Sequence, residues 1–238
     1  MFAPYIGEVR QIMADSGLER RGRTAQFDPH APSWPRDPMQ IILANDTAIE
    51  LGSSDMASVS LVLLTNDASL VHDGQMFFAG PELSACAGRS LPFGKIILVA
   101  GHGFDEDNMY KRYEEMSLQR FSLDLAGFQP RSIPQANREW SRVSKKALKD
   151  GFSLTVLGNE QYRELHTLDF VDAVEMLFIT SNAADVNLFR SLADRSAKAA
   201  QALNKMAEHL IYDCKECDYK DVCDEVDGLR RMHEKSMR

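Results

Sequence analysis

Apolar and polar positions along the chain fall into short runs and alternations, a pattern that predicts strands interleaved with helices. Residues 1–36 are irregular, with a short helix predicted at 7–16 and an extended arm after it, punctuated by Pro29, Pro32 and Pro35. From Met39 the texture turns β-rich, with runs at 39–44, 48–52 and 57–64 separated by Asn-Asp and Gly-Ser-Ser-Asp turn signals, which predicts antiparallel pairing. A further strand at 75–79 follows Asp73-Gly74. The strongest strand covers 95–100, and because it is apolar on successive residues it is predicted to be buried on both faces.

That strand enters Gly101-His102-Gly103 and, after an acidic turn, a helix predicted at 108–126. Residues 138–143 read as extended and lead to a short helix at 144–149 that Gly151 caps. A strand at 173–180 precedes a long amphipathic helix at 184–211. Its apolar stripe is built from Phe189, Leu192, Ser196, Ala199, Leu203, Met206 and Leu210. The fold class is therefore α/β with mixed α+β character: a mixed sheet flanked by helices, and a long C-terminal helix leading into a Cys-rich metal-binding tail. The chain divides into an N-terminal arm (1–37), an α/β core (38–211) and a Cys-rich C-terminal segment (212–238).

Composition narrows the function classes. A formal net charge of -8 argues against nonspecific nucleic-acid binding, since phosphates would be repelled. No apolar run approaches the roughly 20 residues that span a bilayer. The N-terminus lacks the charged-then-apolar layout of a secretory signal, and four unevenly spaced cysteines do not read as a disulfide scaffold, so a reducing cytoplasm is expected.

Three of those four cysteines, Cys214, Cys217 and Cys223, stand close together near the C-terminus. In this Cys-x2-Cys-x5-Cys spacing the first pair lets two sulfurs turn toward one point, which suits an iron-sulfur cluster, with zinc as the alternative. A 4Fe-4S cluster or a structural zinc takes four ligands, so one corner is left open. Cys86 is the candidate fourth ligand; an external ligand or partner is the other completion, and His233 is a further candidate for zinc. The glycine-rich loop at 101–103 has the strand-loop-helix layout of a phosphate site, but Asp105, Glu106 and Asp107 sit where the anion would go. The basic run Arg20-Arg21-Gly22-Arg23 reads as a solvated face.

Several landmarks in order resemble the acetyl-CoA synthase β subunit of the CO dehydrogenase/acetyl-CoA synthase system. They are Glu50-Leu51-Gly52, Asp73-Gly74 and Gly80-Pro81-Glu82-Leu83, then Leu91-Pro92-Phe93-Gly94 entering a strand. After them come Trp140-Ser141-Arg142-Val143-Ser144-Lys145 with Gly151-Phe152, and Tyr212-x-Cys214-x-x-Cys217 after a long helix. The resemblance covers roughly residues 38–225 and implies an iron-sulfur protein of anaerobic one-carbon or corrinoid metabolism with a protein partner from that pathway. It also implies that Trp140 and Arg142 belong to a segment that binds coenzyme A.

Departures from the family are equally informative. The third cysteine stands nearer the second than in the family, no fourth follows, and the Cys-Gly-Cys that holds the distal nickel is absent before the chain ends at Arg238. The expectation is thus a small iron-sulfur protein with a binding or electron-transfer role and an incomplete nickel site. Two alternatives stay open: a non-enzymatic interaction module with a structural zinc or no metal, and a coenzyme A-dependent acyl transferase.

Overall fold

The computed structural model describes residues 2–104, 108–119, 121–131 and 137–207. In chain order the elements begin with helices α1 (Ala3–Asp15) and α2 (Leu18–Arg21), then strands β1 (Arg23–Gln26), β2 (Thr47–Leu51), β3 (Ser58–Thr65), β4 (Gln75–Ala79), β5 (Arg89–Leu91) and β6 (Phe93–Gly101). There follow α3 (Met109–Gln119), β7 (Phe128–Pro130), β8 (Ser141–Ser144), α4 (Lys145–Lys149), α5 (Leu154–Leu165), β9 (Val171–Ile179), α6 (Ala183–Asn187) and α7 (Arg190–Ala207). The fold is mixed α/β, with two mixed sheets and helices around them.

The larger sheet has the order β1-β4-β9-β6-β3. Every residue of β3 and β6 is buried, as the unbroken apolar run of β6 requires of a strand covered on both faces. The two strands pair in parallel, as do β4 and β9, whereas β6 and β9 are antiparallel. The antiparallel pairing expected of β2 and β3 is replaced by membership of two different sheets. Gly52 turns the chain between them at φ 66°, and any Cβ there would meet the Glu139 carbonyl at 2.2 Å.

Helix α1 starts earlier than the sequence predicts because Pro4 occupies its first turn, where the missing N–H costs nothing. Its Tyr5, Ile6, Val9 and Met13 are buried at helical spacing, and Phe2 donates its N–H to Leu64 O on β3 at 3.0 Å. The predicted arm supplies β1, which closes the edge of the large sheet against β4. Arg21 and Arg23 pair with Asp185 and Glu82. Helix α5 has no counterpart among the predicted elements. Ser153 caps it by accepting from Val156 N at 3.2 Å, and Gly158, which reads as a helix breaker, lets it lie against β4, since a Cβ there would meet Met76 Sδ at 2.3 Å.

The predicted C-terminal helix is two helices. Asn182 caps α6, accepting from Asp185 N at 2.9 Å, and the chain turns at Leu188 and Phe189 before α7 begins. Phe189, Leu192, Ser196, Ala199 and Leu203 of the expected stripe are buried. The side chain of Met206, residue Leu210 and the remainder of the predicted helix lie outside the described residues, as do Cys214, Cys217, Cys223 and His233.

The smaller sheet, β5-β2-β8-β7, carries the features with chemistry. Among the described residues no helix is long and apolar enough to cross a membrane.

Candidate functional site

Strands β7 and β8 pair antiparallel, with Gln129 opposite Arg142 and Pro130 opposite Ser141. One step beyond, Arg131 donates its N–H to the Trp140 carbonyl, which makes these two cross-strand neighbours. The Arg131 guanidinium lies 5.4 Å from the centroid of the Trp140 ring. Arg142, two residues further along β8 and so on the same face, holds its guanidinium 5.4 Å from that centroid as well. The indole is half-buried, and its Nε1 is buried with no acceptor among the described residues.

The basic residues around the tryptophan divide by what they already hold. Arg142 Nε donates to Glu50 Oε1 at 2.9 Å across β2 and β8, and Nη1 donates to Ile42 O at 3.2 Å. Arg138 donates to the carbonyls of Ser53 and Met56 at 3.2 and 3.0 Å. Lys145 donates to Asn45 O at 2.7 Å, and Lys146 to Asp150 Oδ2 at 2.5 Å. Arg131 is exposed and forms no ion pair with any described residue. Nothing in the sequence alone marks Arg131; it is the β7–β8 register that sets the residue after Pro130 opposite the one before Ser141.

A buried polar cluster fixes the segment that delivers Trp140. Glu139 is fully buried and accepts from Lys95 Nζ of β6 at 2.6 Å, and from the hydroxyls of Ser60 and Ser141 at 3.2 Å each. Its backbone is clasped by Ser58, whose Oγ donates to Glu139 O at 2.6 Å and accepts from Glu139 N at 2.9 Å. Asn137 just before it adopts φ 45° and donates to Ala193 O. The large sheet and α7 thus set the angle at which the small sheet presents its tryptophan.

Beside this hairpin lies a groove of about 580 Å³ between the 34–46 loop and the start of α4, lined by Trp34, Gln40, Ile41, Lys145, Lys146 and others. The predicted strand at 39–44 is not a strand. Pro38 and Met39 form a turn, and residues 40–43 run extended beside β7 without ladder pairing. Gln129 side-chain bonds stand in for the ladder: its Oε1 accepts from Ile42 N at 3.2 Å and its Nε2 donates to Gln40 O at 3.5 Å.

Cys86 ends a 3-10 turn (Leu83–Cys86) and is 1% exposed within the hydrophobic core. No group of three or more His, Cys, Asp or Glu side chains among the described residues is arranged to hold a metal ion. His102 pairs with Asp172 at 2.7 Å, and Arg112 closes the loop by donating to His102 O at 3.0 Å. Residues Asp105, Glu106 and Asp107 lie outside the described residues.

Comparison with known proteins agrees with the order of the landmarks. Residues 39–186 match the family described as CO dehydrogenase/acetyl-CoA synthase complex beta subunit, from within the groove wall to α6. No curated protein matches the chain.

Proposed function

Because the chain belongs to the family of the CO dehydrogenase/acetyl-CoA synthase complex beta subunit, we propose that it takes an acetyl-CoA synthase-like role in CO and one-carbon metabolism, binding a coenzyme A-type ligand beside Trp140. One observation carries the ligand reading: the half-buried indole has an unpaired N–H and two guanidiniums at 5.4 Å, of which Arg131 forms no ion pair with any described residue. An indole face stacks an adenine, and a planar guanidinium grips phosphate in bidentate fashion. Arg131 is the residue for the phosphates. Arg142, tied to Glu50, holds the edge of the site in place and leaves one amine of its guanidinium for the ligand. Lys145, which donates to a neutral carbonyl, keeps its positive charge in a chain of net charge -8.

For a metal centre we propose Cys214, Cys217 and Cys223 as thiolate ligands of an iron-sulfur cluster held by the segment 212–238. When bound, such a cluster supplies electron transfer or a docking point for a second metal. The burial of Cys86 supports a packing role for that thiol. The family description further supports a protein partner from a one-carbon or corrinoid pathway.

A ladder of ligands tests the site. Coenzyme A is expected to quench the tryptophan fluorescence saturably, and pantetheine, which lacks the nucleotide, to leave it unchanged. Equal quenching by both, or by neither, would remove the nucleotide site. Zinc without iron after anaerobic purification would replace the cluster by a zinc-stapled tail.

A further inference from the structure

Three apolar side chains stand in solvent on alternate residues of one extended segment: Met39 at 87% exposure, Ile41 at 72% and Leu43 at 56%. Between them, Gln40 and Ile42 turn inward, and the Ile42 N–H and C=O are taken by Gln129 and Arg142. In extended chain successive residues direct their backbone groups to opposite sides, so the Ile41 N–H and C=O point away from the sheet. Neither makes a hydrogen bond with any described residue. The segment is therefore a strand edge in all but its missing ladder, with an apolar row along it and the 580 Å³ groove beside it.

We propose that this edge receives an extended segment of a partner protein, which pairs with the backbone of Ile41 and lays alternate apolar side chains against Met39, Ile41 and Leu43. Such pairing combines main-chain hydrogen bonds for affinity with side-chain pockets for choice of partner. Charge identifies the chemistry of the incoming segment. The groove lining holds three aspartates against two lysines: Lys146 is paired with Asp150, and Lys145 donates to the neutral Asn45 O. Asp37 and Asp46, which also line the groove near the two ends of the row, have no side-chain partner among the described residues. The complementary segment carries alternating apolar residues with a lysine or arginine at each end. A second copy of the chain fits less well. Pairing about Ile41 would bring Arg36 against Asp46, but Arg36 already holds Glu160 and Glu164. Three apolar side chains from each copy also fall short of the roughly 1,200 Å² that a stable interface buries.

The probe is a fluorescein-labelled heptapeptide, Lys-Val-Thr-Val-Thr-Val-Lys, compared with the same peptide N-methylated at its central valine. The unmodified peptide is expected to raise anisotropy saturably and to slow exchange of the Ile41 amide at least tenfold. The methylated one is expected to bind at least tenfold more weakly. Ile41→Asp and the double variant Asp37→Lys with Asp46→Lys each weaken binding tenfold or more, with unchanged circular dichroism and melting temperature, since all three sites are exposed. Equal binding of the two peptides, no saturable binding at millimolar concentration, or a dimer in sedimentation that Ile41→Asp dissolves would each overturn the proposal. These readouts involve neither coenzyme A nor metal, so their failure leaves the ligand reading standing.

Discussion

Lys95 Nζ meets Glu139 Oε2 at 2.6 Å, with 1% of the lysine side chain and none of the glutamate exposed. The pair joins the central part of the large sheet to the segment that delivers Trp140. Two charges withdrawn from water offset one another only while both are present, and the hydroxyls of Ser60 and Ser141 satisfy the remaining carboxylate positions.

Removing one partner is therefore expected to do more harm than removing both. Glu139→Ala takes this carboxylate away from the buried lysine and should cost about 3–5 kcal/mol in chemical denaturation. The double variant Lys95→Met with Glu139→Leu should lose less than Glu139→Ala alone. Additive losses in the double-mutant cycle would show that the two residues do not act as a pair.

The proposed ligand set makes a separate prediction. Replacing Cys214, Cys217 or Cys223 by Ser should lower iron and sulfide retained through anaerobic purification, whereas Cys86→Ser should leave both unchanged and lower thermal stability instead. Iron lost on Cys86→Ser in a chain with an unaltered melting temperature would make Cys86 the fourth ligand.

Tyr162 on α5 gives a pH signature. Desolvation and the Asp73 carboxylate, which accepts from the phenol at 3.1 Å, push its pKa from 10.0 up to about 12. A group raised in the folded state contributes stability that is fully present below its unfolded pKa and is lost as pH rises through the folded value. The contribution should thus decline between about pH 10 and 12. Stability measured over that window should fall more steeply for the native chain than for Tyr162→Phe, and parallel curves would refute the assignment.

Much of the core was legible because burial on both faces writes itself into sequence as an unbroken apolar run, as in β6. The short helix α4 and its stop at Gly151 were equally plain, although Ser144, expected as its first residue, is its N-cap. What could not be read depended on distant partners. Residues 39–44 have strand composition, yet their ladder is replaced by a glutamine nearly ninety positions away. Helix α5 carries Gly158, whose reason is the Met76 side chain it must pass. At the site, the family resemblance pointed to Trp140 and Arg142, but only the β7–β8 register brings Arg131 beside the indole, and only the structure shows Arg142 already held by Glu50.

The central claim is that Trp140 and Arg131 form the floor and the phosphate grip of a coenzyme A-type site. Isothermal titration of coenzyme A into the native chain, Trp140→Ala and Arg131→Ala tests it most directly. Loss of a base-stacking contact is worth about 1–3 kcal/mol, so Trp140→Ala should bind about ten-fold more weakly or worse, and Arg131→Ala, at an exposed residue, should lose a comparable factor at unchanged folding stability. Native affinity in both variants, or no heat of binding to the native chain, would contradict the account.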